Sequence, residues 1–317
     1  MLRLEVISKF FLALTSSIFL FMSGLSLPPL GVVLFPFVAQ PVLMFGLKYG
    51  VGGGLGVLAV AIILLALLAS EELALIYGIF AVIAGLLLAA LGRIRVIEHL
   101  VGGIAAAATA ATVGLMFFFY GSWTVMFKDL RENLTQQLTS ALRMQEKMGL
   151  PQAGLEKLQE QTPQLIDLLL QLLPALLFLS FAFIVLLNVL YLGRRYPEQR
   201  SQWFSLRTLR EWKGPEPLVW GLIACGFALF VPGLGWFWAV ALNLLLVISA
   251  CYFAQGLAVI AFFFHKNNVP RFLRGLTYVL IVFQQIFTLL VIGLGLFDLW
   301  GDFRRLRKDN LNPSQAS

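Results

Sequence analysis

Long uncharged apolar runs alternate along this chain with short breaks of turn-forming or charged residues. One such run covers residues 236–264 and ends at His265 and Lys266. With a rise of about 1.5 Å per helical residue it would reach about 40 Å, whereas the hydrocarbon layer of a bilayer is roughly 30 Å thick. The run therefore predicts one long, tilted membrane-spanning helix.

Nine apolar runs are candidate membrane spans. The seventh has only 14 residues before Pro232 and Gly233, so it either crosses with help from Pro217 and Trp220 at the interface or enters the membrane and returns. The other eight are long enough to cross. We therefore predict an all-α, polytopic transmembrane helical bundle of about nine spans. The runs cover approximately residues 7–27, 30–48, 51–69, 73–91, 98–120, 166–192, 218–231, 235–264 and 276–297.

Composition supports a membrane protein, because 60% of the 317 residues are hydrophobic and only 12% are charged, against about 25% charged in soluble domains. The net charge of +7 could suggest nucleic acid. However, the basic residues lie in short clusters between apolar runs, where membrane topology and anionic lipid explain them. Arg3 and Lys9 precede the first run as in a signal peptide, yet no small-x-small cleavage site follows. We expect an uncleaved first span and no nucleic-acid partner.

Lysine and arginine predict that the N-terminus lies in the cytoplasm. If all nine runs cross, one side of the membrane holds most of these residues, and cytoplasmic loops retain them. The basic tail at 303–308 then lies outside, against the rule. If the seventh run is re-entrant, the tail moves inside, but Lys266, Arg271 and Arg274 move outside.

Polar content divides the chain into four parts. Leucines recur at every fourth position from Leu130 to Leu142, which predicts an apolar stripe on a helix that lies on the membrane or covers a cavity. A later loop mixes arginine with tryptophan, which is typical of a headgroup anchor or of a docking site for a partner. The parts are a five-span block at 1–121, an extracytoplasmic amphipathic helical hairpin at 122–163, a four-span block at 164–300 that includes the basic cytoplasmic loop 193–217, and a basic polar tail at 301–317.

The fifth run carries a ridge of small residues at i, i+4 spacing: Gly102, Ala106, Ala110 and Gly114. Small side chains let helix backbones approach closely in a membrane. The ridge either packs against another helix of this chain or offers a face to another membrane protein.

Polar side chains inside the runs are the candidates for a ligand cavity. The sequence FPFVAQP at 35–41 predicts a broken helix, because its prolines free backbone carbonyls, and broken helices are tolerated beside protein or a water-filled cavity. Isolated amides within spans more often form interhelical hydrogen bonds, as Asn188 would. The candidate cavity residues are Gln40, Asn243, Gln255 and Gln284.

The sequence offers little for catalysis or metal binding. His99 and His265 lack ligand partners at helical spacing, so we expect no metal site. The glycines at 50–56 are not followed by Lys-Ser or Lys-Thr, which excludes a nucleotide P-loop. The pair Asp298 and Asp302 lies at a span end, where we expect both carboxylates to be solvated. No nucleophile, general base and orienting residue occur together, so we expect neither a cofactor nor enzymatic activity.

Five short stretches resemble parts of a known family. They are PEPLVWG at 215–221, LN at 242–243, QGLAVIAFFF at 255–264, GLFDLWGDFRRLRK at 295–308 and FPFVAQPVLMFGLKYGVGGG at 35–54. The first four look like the C-terminal half, and the last like the N-terminal part, of the YybS-like family of bacterial multi-pass membrane proteins. That family is distantly similar to the substrate-binding subunits of energy-coupling-factor transporters. The resemblance implies a small-molecule ligand, a small-residue face for a membrane partner and ATPases on other chains; the larger predicted span number and the hairpin depart from those subunits, so no ligand residue is transferred.

These observations favour a small-molecule-binding or transport-related membrane subunit that lacks its own ATPase. The alternative is a non-transporting structural or regulatory scaffold of the bacterial envelope, and a membrane enzyme acting on lipid or glycan comes third. The expected partners are the lipid bilayer, another membrane subunit and separate ATPases.

Overall fold

The computed structural model describes residues 2–147, 152–203, 209–231, 233 and 235–304, and within these residues the chain forms helices and no strand. The predicted all-α fold is confirmed. The helices are α1 (Leu2–Ser26), α2 (Pro28–Leu34), α3 (Gln40–Tyr49), α4 (Val51–Leu68), α5 (Glu71–Ala90), α6 (Ile97–Tyr120), α7 (Trp123–Lys147), α8 (Gln152–Arg195), α9 (Pro197–Trp203), α10 (Leu218–Leu229), α11 (Trp236–Lys266), α12 (Arg271–Phe283) and α13 (Gln285–Gly301), with 3-10 helices at Phe35–Phe37 and Leu209–Glu211.

Seven of the described helical segments are long and apolar enough to cross a membrane, and there are eight if α12 and α13 form one broken span. α10 is apolar but shorter than these. The number of nine crossings therefore stays a prediction. The seven segments are Leu4–Ser26, Leu30–Tyr49, Val51–Leu68, Glu71–Ala90, Ile97–Tyr120, Glu160–Arg195 and Trp236–Lys266.

The ninth predicted run, 276–297, is not one continuous helix. α12 and α13 meet at an angle of 105°, because Gln284 between them has an extended backbone with φ −114° and ψ 108°. The hydroxyl of Thr288 donates to the backbone oxygen of Ile281 across the break, 2.9 Å away. Such a side-chain bond satisfies a carbonyl that a helix break leaves without its helical partner.

The second predicted run is also interrupted. α2 passes into the 3-10 helix Phe35–Phe37, and α3 begins after a short turn at Gln40. Pro36 and Pro41 have no backbone N–H to donate, so a regular helix could not hydrogen-bond fully through this segment. The break predicted from the prolines is present.

The predicted hairpin at 122–163 corresponds to α7 and the start of α8, which pack together. Gly121, at φ 62°, ends α6 in the left-handed conformation and separates it from α7. The second limb of the hairpin is not a separate element, because α8 continues for 44 residues into the sixth predicted span. Residues 148–151, between α7 and α8, lie outside the described ranges, and the extracytoplasmic position stays a prediction.

Two compact units, Met1–Ser205 and Leu206–Ser317, make up the chain. These units group contacts in space, whereas the predicted boundaries at 121, 163 and 300 follow polar content, and those boundaries stay predictions.

The core of the first unit includes a buried hydroxyl pair: Ser17 donates to the backbone oxygen of Val38 (2.7 Å) and lies 2.8 Å from the Tyr77 hydroxyl.

In the second unit, α11 and α13 approach closely through two glycines. A Cβ on Gly256 would lie 2.0 Å from the backbone oxygen of Val291, and one on Gly295 would lie 2.0 Å from that of Tyr252. Only hydrogen fits at these positions, so the two backbones are in direct contact. This contact holds α11 and α13 together.

Candidate functional site

A groove of about 450 Å³ lies in the unit Leu206–Ser317. One wall is the start of α10 and the segment before it, and the other is the end of α13. Its volume falls within the range of about 300–1,000 Å³ that is usual for small-molecule sites. The lining residues are Glu216, Pro217, Val219, Trp220, Ile223, Leu299 and Trp300.

The lining combines two tryptophans with one carboxylate. Trp220 and Trp300 are 72% and 64% exposed, and Glu216 is also exposed. Indole faces attract cations as well as apolar groups, and a carboxylate favours positive charge. Exposed tryptophans also anchor helices at the membrane–water interface. The groove therefore presents indole faces and one carboxylate together.

A buried ion pair lies directly beside the groove. Asp298 precedes the lining residue Leu299, and its Oδ2 atom accepts hydrogen bonds from Arg304 Nη2 (2.7 Å) and Gln255 Nε2 (3.2 Å). The side chains of Asp298 and Arg304 are fully buried. The expectation of a solvated Asp298 is wrong. α13 ends at Asp302 in the left-handed conformation, with φ 37°, and the chain then turns back so that Arg304 reaches Asp298.

The same network holds the segment before α10. Arg304 Nη1 donates to the backbone oxygens of Arg210 (2.6 Å) and Trp212 (3.0 Å), and the Gly214 amide donates to Gln255 Oε1 (3.0 Å). These bonds tie the described end of the predicted basic loop 193–217 to α11 and α13. Because Glu216 follows two residues after Gly214, the network also positions one wall of the groove.

A second ion pair reinforces this attachment at the surface. Lys213 Nζ lies 2.9 Å from Asp302 Oδ1, and both side chains are partly exposed. Deeper in the unit, Asp298 Oδ1 and the Tyr252 hydroxyl are buried and make no hydrogen bond within the described part of the chain. The carboxylate therefore has acceptor capacity beyond its two bonded donors.

The three predicted cavity residues of the unit Leu206–Ser317 have different surroundings. Gln255 belongs to the buried network, Asn243 donates to the backbone oxygen of Ala239 one turn earlier (2.8 Å), and Gln284 is exposed at the break between α12 and α13. Gln40 belongs to the other unit. None of the four lines the groove, and a cavity that they share stays a prediction.

Gln40 forms an amide pair at the first helix break. Its Nε2 donates to Asn188 Oδ1 (2.8 Å), while Asn188 Nδ2 donates to the backbone oxygens of Pro36 and Ile184 (both 2.7 Å). Asn188 is completely buried and Gln40 is 6% exposed. Gln40 Oε1 is buried without a hydrogen-bond partner in the described structure. The pair fixes the break to α8, as expected for an interhelical amide contact.

The predicted small-residue ridge lies on an open face of α6. Ala106, Ala110 and Gly114 are exposed and Gly102 is half-buried. A Cβ on either glycine would have no neighbour within 4 Å, so the ridge packs against no described helix of this chain. α6 instead packs into its own unit through Leu100, Ile104, Ala105 and Ala108.

One family profile matches residues 15–299 of this chain, and its description is predicted membrane protein (DUF2232). The chain belongs to this family. No curated protein and no solved structure matches it. A membrane-embedded protein is thereby confirmed, while the YybS-like name and the similarity to energy-coupling-factor subunits stay predictions.

In this DUF2232 protein, sequence reasoning missed the residues that build the site. The sequence places Asp298 at a span end and Arg304 in a polar tail. A glycine between an acidic and a basic residue six positions apart is the signal that could have indicated a chain reversal pairing the two. No metal-binding group of three or more His, Cys, Asp or Glu residues occurs in the described part of the DUF2232 chain.

Proposed function

We propose that this DUF2232 protein is a non-enzymatic, small-molecule-binding subunit of a transport system in the bacterial inner membrane, with a cytoplasmic N-terminus. The observation that carries the proposal is the groove with Trp220, Trp300 and Glu216, which has the size and lining of a ligand site. Its ligand class is an apolar or aromatic molecule with a cationic group. The buried network supports the proposal, since it holds the walls in place before any ligand arrives and so lowers the entropic cost of binding.

The proposal includes energy supplied by other chains. The glycine-rich stretch at 50–56, most of which belongs to α4, lacks the lysine and hydroxyl of a P-loop, so ATP hydrolysis would come from separate ATPases. The exposed ridge of α6 supports a membrane partner, because small residues permit the close helix contacts that stabilise association in lipid.

Replacing both groove tryptophans is expected to remove the ligand. Trp220→Ala with Trp300→Ala takes away the two exposed indole faces that the groove offers to a cation or an aromatic ring. Native mass spectrometry of protein extracted from bacterial membranes in mild detergent should show a bound small molecule in the parent and at least a tenfold lower occupancy in the double variant, corresponding to about 1.4 kcal/mol.

Trp236→Ala is the matched control, since Trp236 is also exposed, at 67%, but lies outside the groove. Equal ligand occupancy in parent and double variant would place the ligand elsewhere. A parent that carries no small molecule from any membrane source would contradict the proposal itself.

Enlarging the ridge is expected to block the membrane partner. Ala106→Leu and Ala110→Leu add bulk on the open face of α6, which prevents close backbone approach by a second helix. Each variant should insert and fold like the parent and yet lose co-purifying subunits in mild detergent.

Phe118→Leu provides the control, because Phe118 is exposed on the same helix at 79% and already has a large side chain. If partner subunits still co-purify with both Ala106→Leu and Ala110→Leu, the ridge contacts lipid only. The scaffold alternative rests on the same exposed ridge; co-purification of envelope proteins in place of an ATPase pair would favour it.

A further inference from the structure

α12 has one strongly apolar face. Arg271, Arg274 and Tyr278 follow one another at intervals of three and four residues and mark the opposite, polar face. The apolar side chains are largely exposed, and Ile281 is the buried residue of this helix. The exposed apolar residues are Phe272, Leu273, Leu276, Val279, Leu280, Val282 and Phe283. Of these, Val282 lies on the same side of the helix as Arg271, and the other six form the apolar face.

The polar face of α12 is directed towards the end of α11. Arg274 donates from Nε to the backbone oxygen of Val269 (2.7 Å) and from Nη2 to that of Phe264 (3.2 Å). The rings of Tyr278 and Phe264 meet edge to face, with centroids 5.9 Å apart. Arg274 thus caps carbonyls at the C-terminus of α11, and the apolar face of α12 points away from α11.

The glycine contacts show at which end of the helix pair α12 begins and ends. Gly256 contacts Val291, and Gly295 contacts Tyr252. Residue numbers thus increase along α13 as they decrease along α11, so the two helices are antiparallel. Continuing this register brings Gln285, the first residue of α13, level with Phe262, close to the end of α11 at Lys266. α12 therefore starts and finishes at the same end of the helix pair, and its angle of 105° to α13 directs it across that end.

Basic residues gather at this end of the pair. His265, Lys266 and Arg271 are exposed, and Arg274 lies beside them. A helix with an exposed apolar face and basic residues on the other side is suited to the headgroup layer of an anionic bilayer. We propose that α12 does not cross the membrane but lies in its plane, with the apolar face inserted beneath anionic phospholipid headgroups and α13 alone as the last span.

Depth measurements with nitroxide labels test this inference on the full chain. Single cysteines replace Phe272, Leu276 and Phe283 of α12 after Cys225→Ala and Cys251→Ala, and the labelled proteins are placed in vesicles of three parts phosphatidylcholine to one part phosphatidylglycerol. Relaxation by oxygen and by a water-soluble nickel complex then reports depth. We expect all three labels at one shallow depth, about 5–10 Å into the headgroup and acyl boundary.

Labels at Ile286, Leu290 and Phe297 of α13, which are all exposed, serve as the matched control for a crossing helix and for correct folding. Their depth should change along the helix. If the α12 labels instead change depth by about 1.5 Å per residue, so that Phe272 and Phe283 differ by about 16 Å, α12 crosses and the inference is wrong. It is equally wrong if the three labels contact water alone or are shielded from both reagents by protein.

The charge requirement is tested with Arg271→Gln, because the exposed Arg271 makes none of the capping bonds of Arg274. This variant, and separately the removal of phosphatidylglycerol, should move the α12 labels measurably towards water. Arg143→Gln removes an exposed charge from α7 and should leave their depth unchanged. If neither Arg271→Gln nor the removal of phosphatidylglycerol changes the depth of the α12 labels, the anionic headgroup is not the binding partner.

Discussion

Arg304→Met is expected to destabilise the protein by about 3–5 kcal/mol, because it leaves Asp298 as an uncompensated charge in a fully buried position. The variant also loses the two bonds from Arg304 to the carbonyls of Arg210 and Trp212. The segment before α10 should therefore detach from α11 and α13 before the rest of the unit unfolds. Chemical unfolding in detergent micelles, followed by tryptophan fluorescence, measures the loss.

Two further variants separate charge burial from general disruption. In the double variant Asp298→Leu with Arg304→Met no buried charge remains, so its stability should lie much closer to that of the parent. Lys213→Met breaks only the partly exposed pair with Asp302 and should cost about 1 kcal/mol or less. If Arg304→Met costs no more than Lys213→Met, the pair of Asp298 and Arg304 is not desolvated as described.

Gly295→Ala is expected to force α11 and α13 apart. The new methyl group would lie 2.0 Å from the Tyr252 backbone oxygen and 2.7 Å from the Gly256 nitrogen, and backbone atoms cannot move aside as a flexible side chain can. Overpacking of this kind costs about 1–3 kcal/mol or more. The same unfolding assay should detect the loss, together with weaker ligand occupancy, since α13 carries Leu299 and Trp300 of the groove.

Gly293→Ala is the matched control on the same helix. A Cβ there meets nothing within 4 Å, and alanine is a better helix former than glycine by about 1 kcal/mol. Gly293→Ala should therefore be neutral or slightly stabilising. Equal effects of the two substitutions would mean that helix propensity, and not the helix contact, sets the outcome at these glycines.

The length of the uncharged apolar runs was sufficient to predict the helical, membrane-embedded fold, because a bilayer permits few alternatives for runs of this length. Prolines likewise located the break before Gln40. The break at Gln284 could not be foreseen, since no proline or glycine marks it and two adjacent glutamines, Gln284 and Gln285, do not by themselves interrupt a helix. Polar content separated the hairpin from the sixth run, although their backbone is continuous in α8.

The candidate site was less accessible to sequence reasoning. Gln255 was identified as an amide in a span, yet its partners Gly214 and Asp298 are 41 and 43 residues away. Their proximity depends on the glycine contact of α11 with α13, which no local pattern encodes. The ridge of α6 was recognised correctly as a set of small residues, but its exposure depends on which face of α6 the other helices leave uncovered.

The continuity of α8 has a mechanical consequence. Its 44 residues extend for about 66 Å, roughly twice the hydrocarbon thickness, so one end projects far beyond the bilayer. The projecting half and the embedded half belong to one continuous helix. A displacement of the projecting end would be transmitted along α8, and the helix would bend at Pro163 and Pro174. Asn188 of α8 donates a hydrogen bond to the Pro36 backbone oxygen. A force applied to the projecting end of α8 would therefore be transmitted to the interrupted second span.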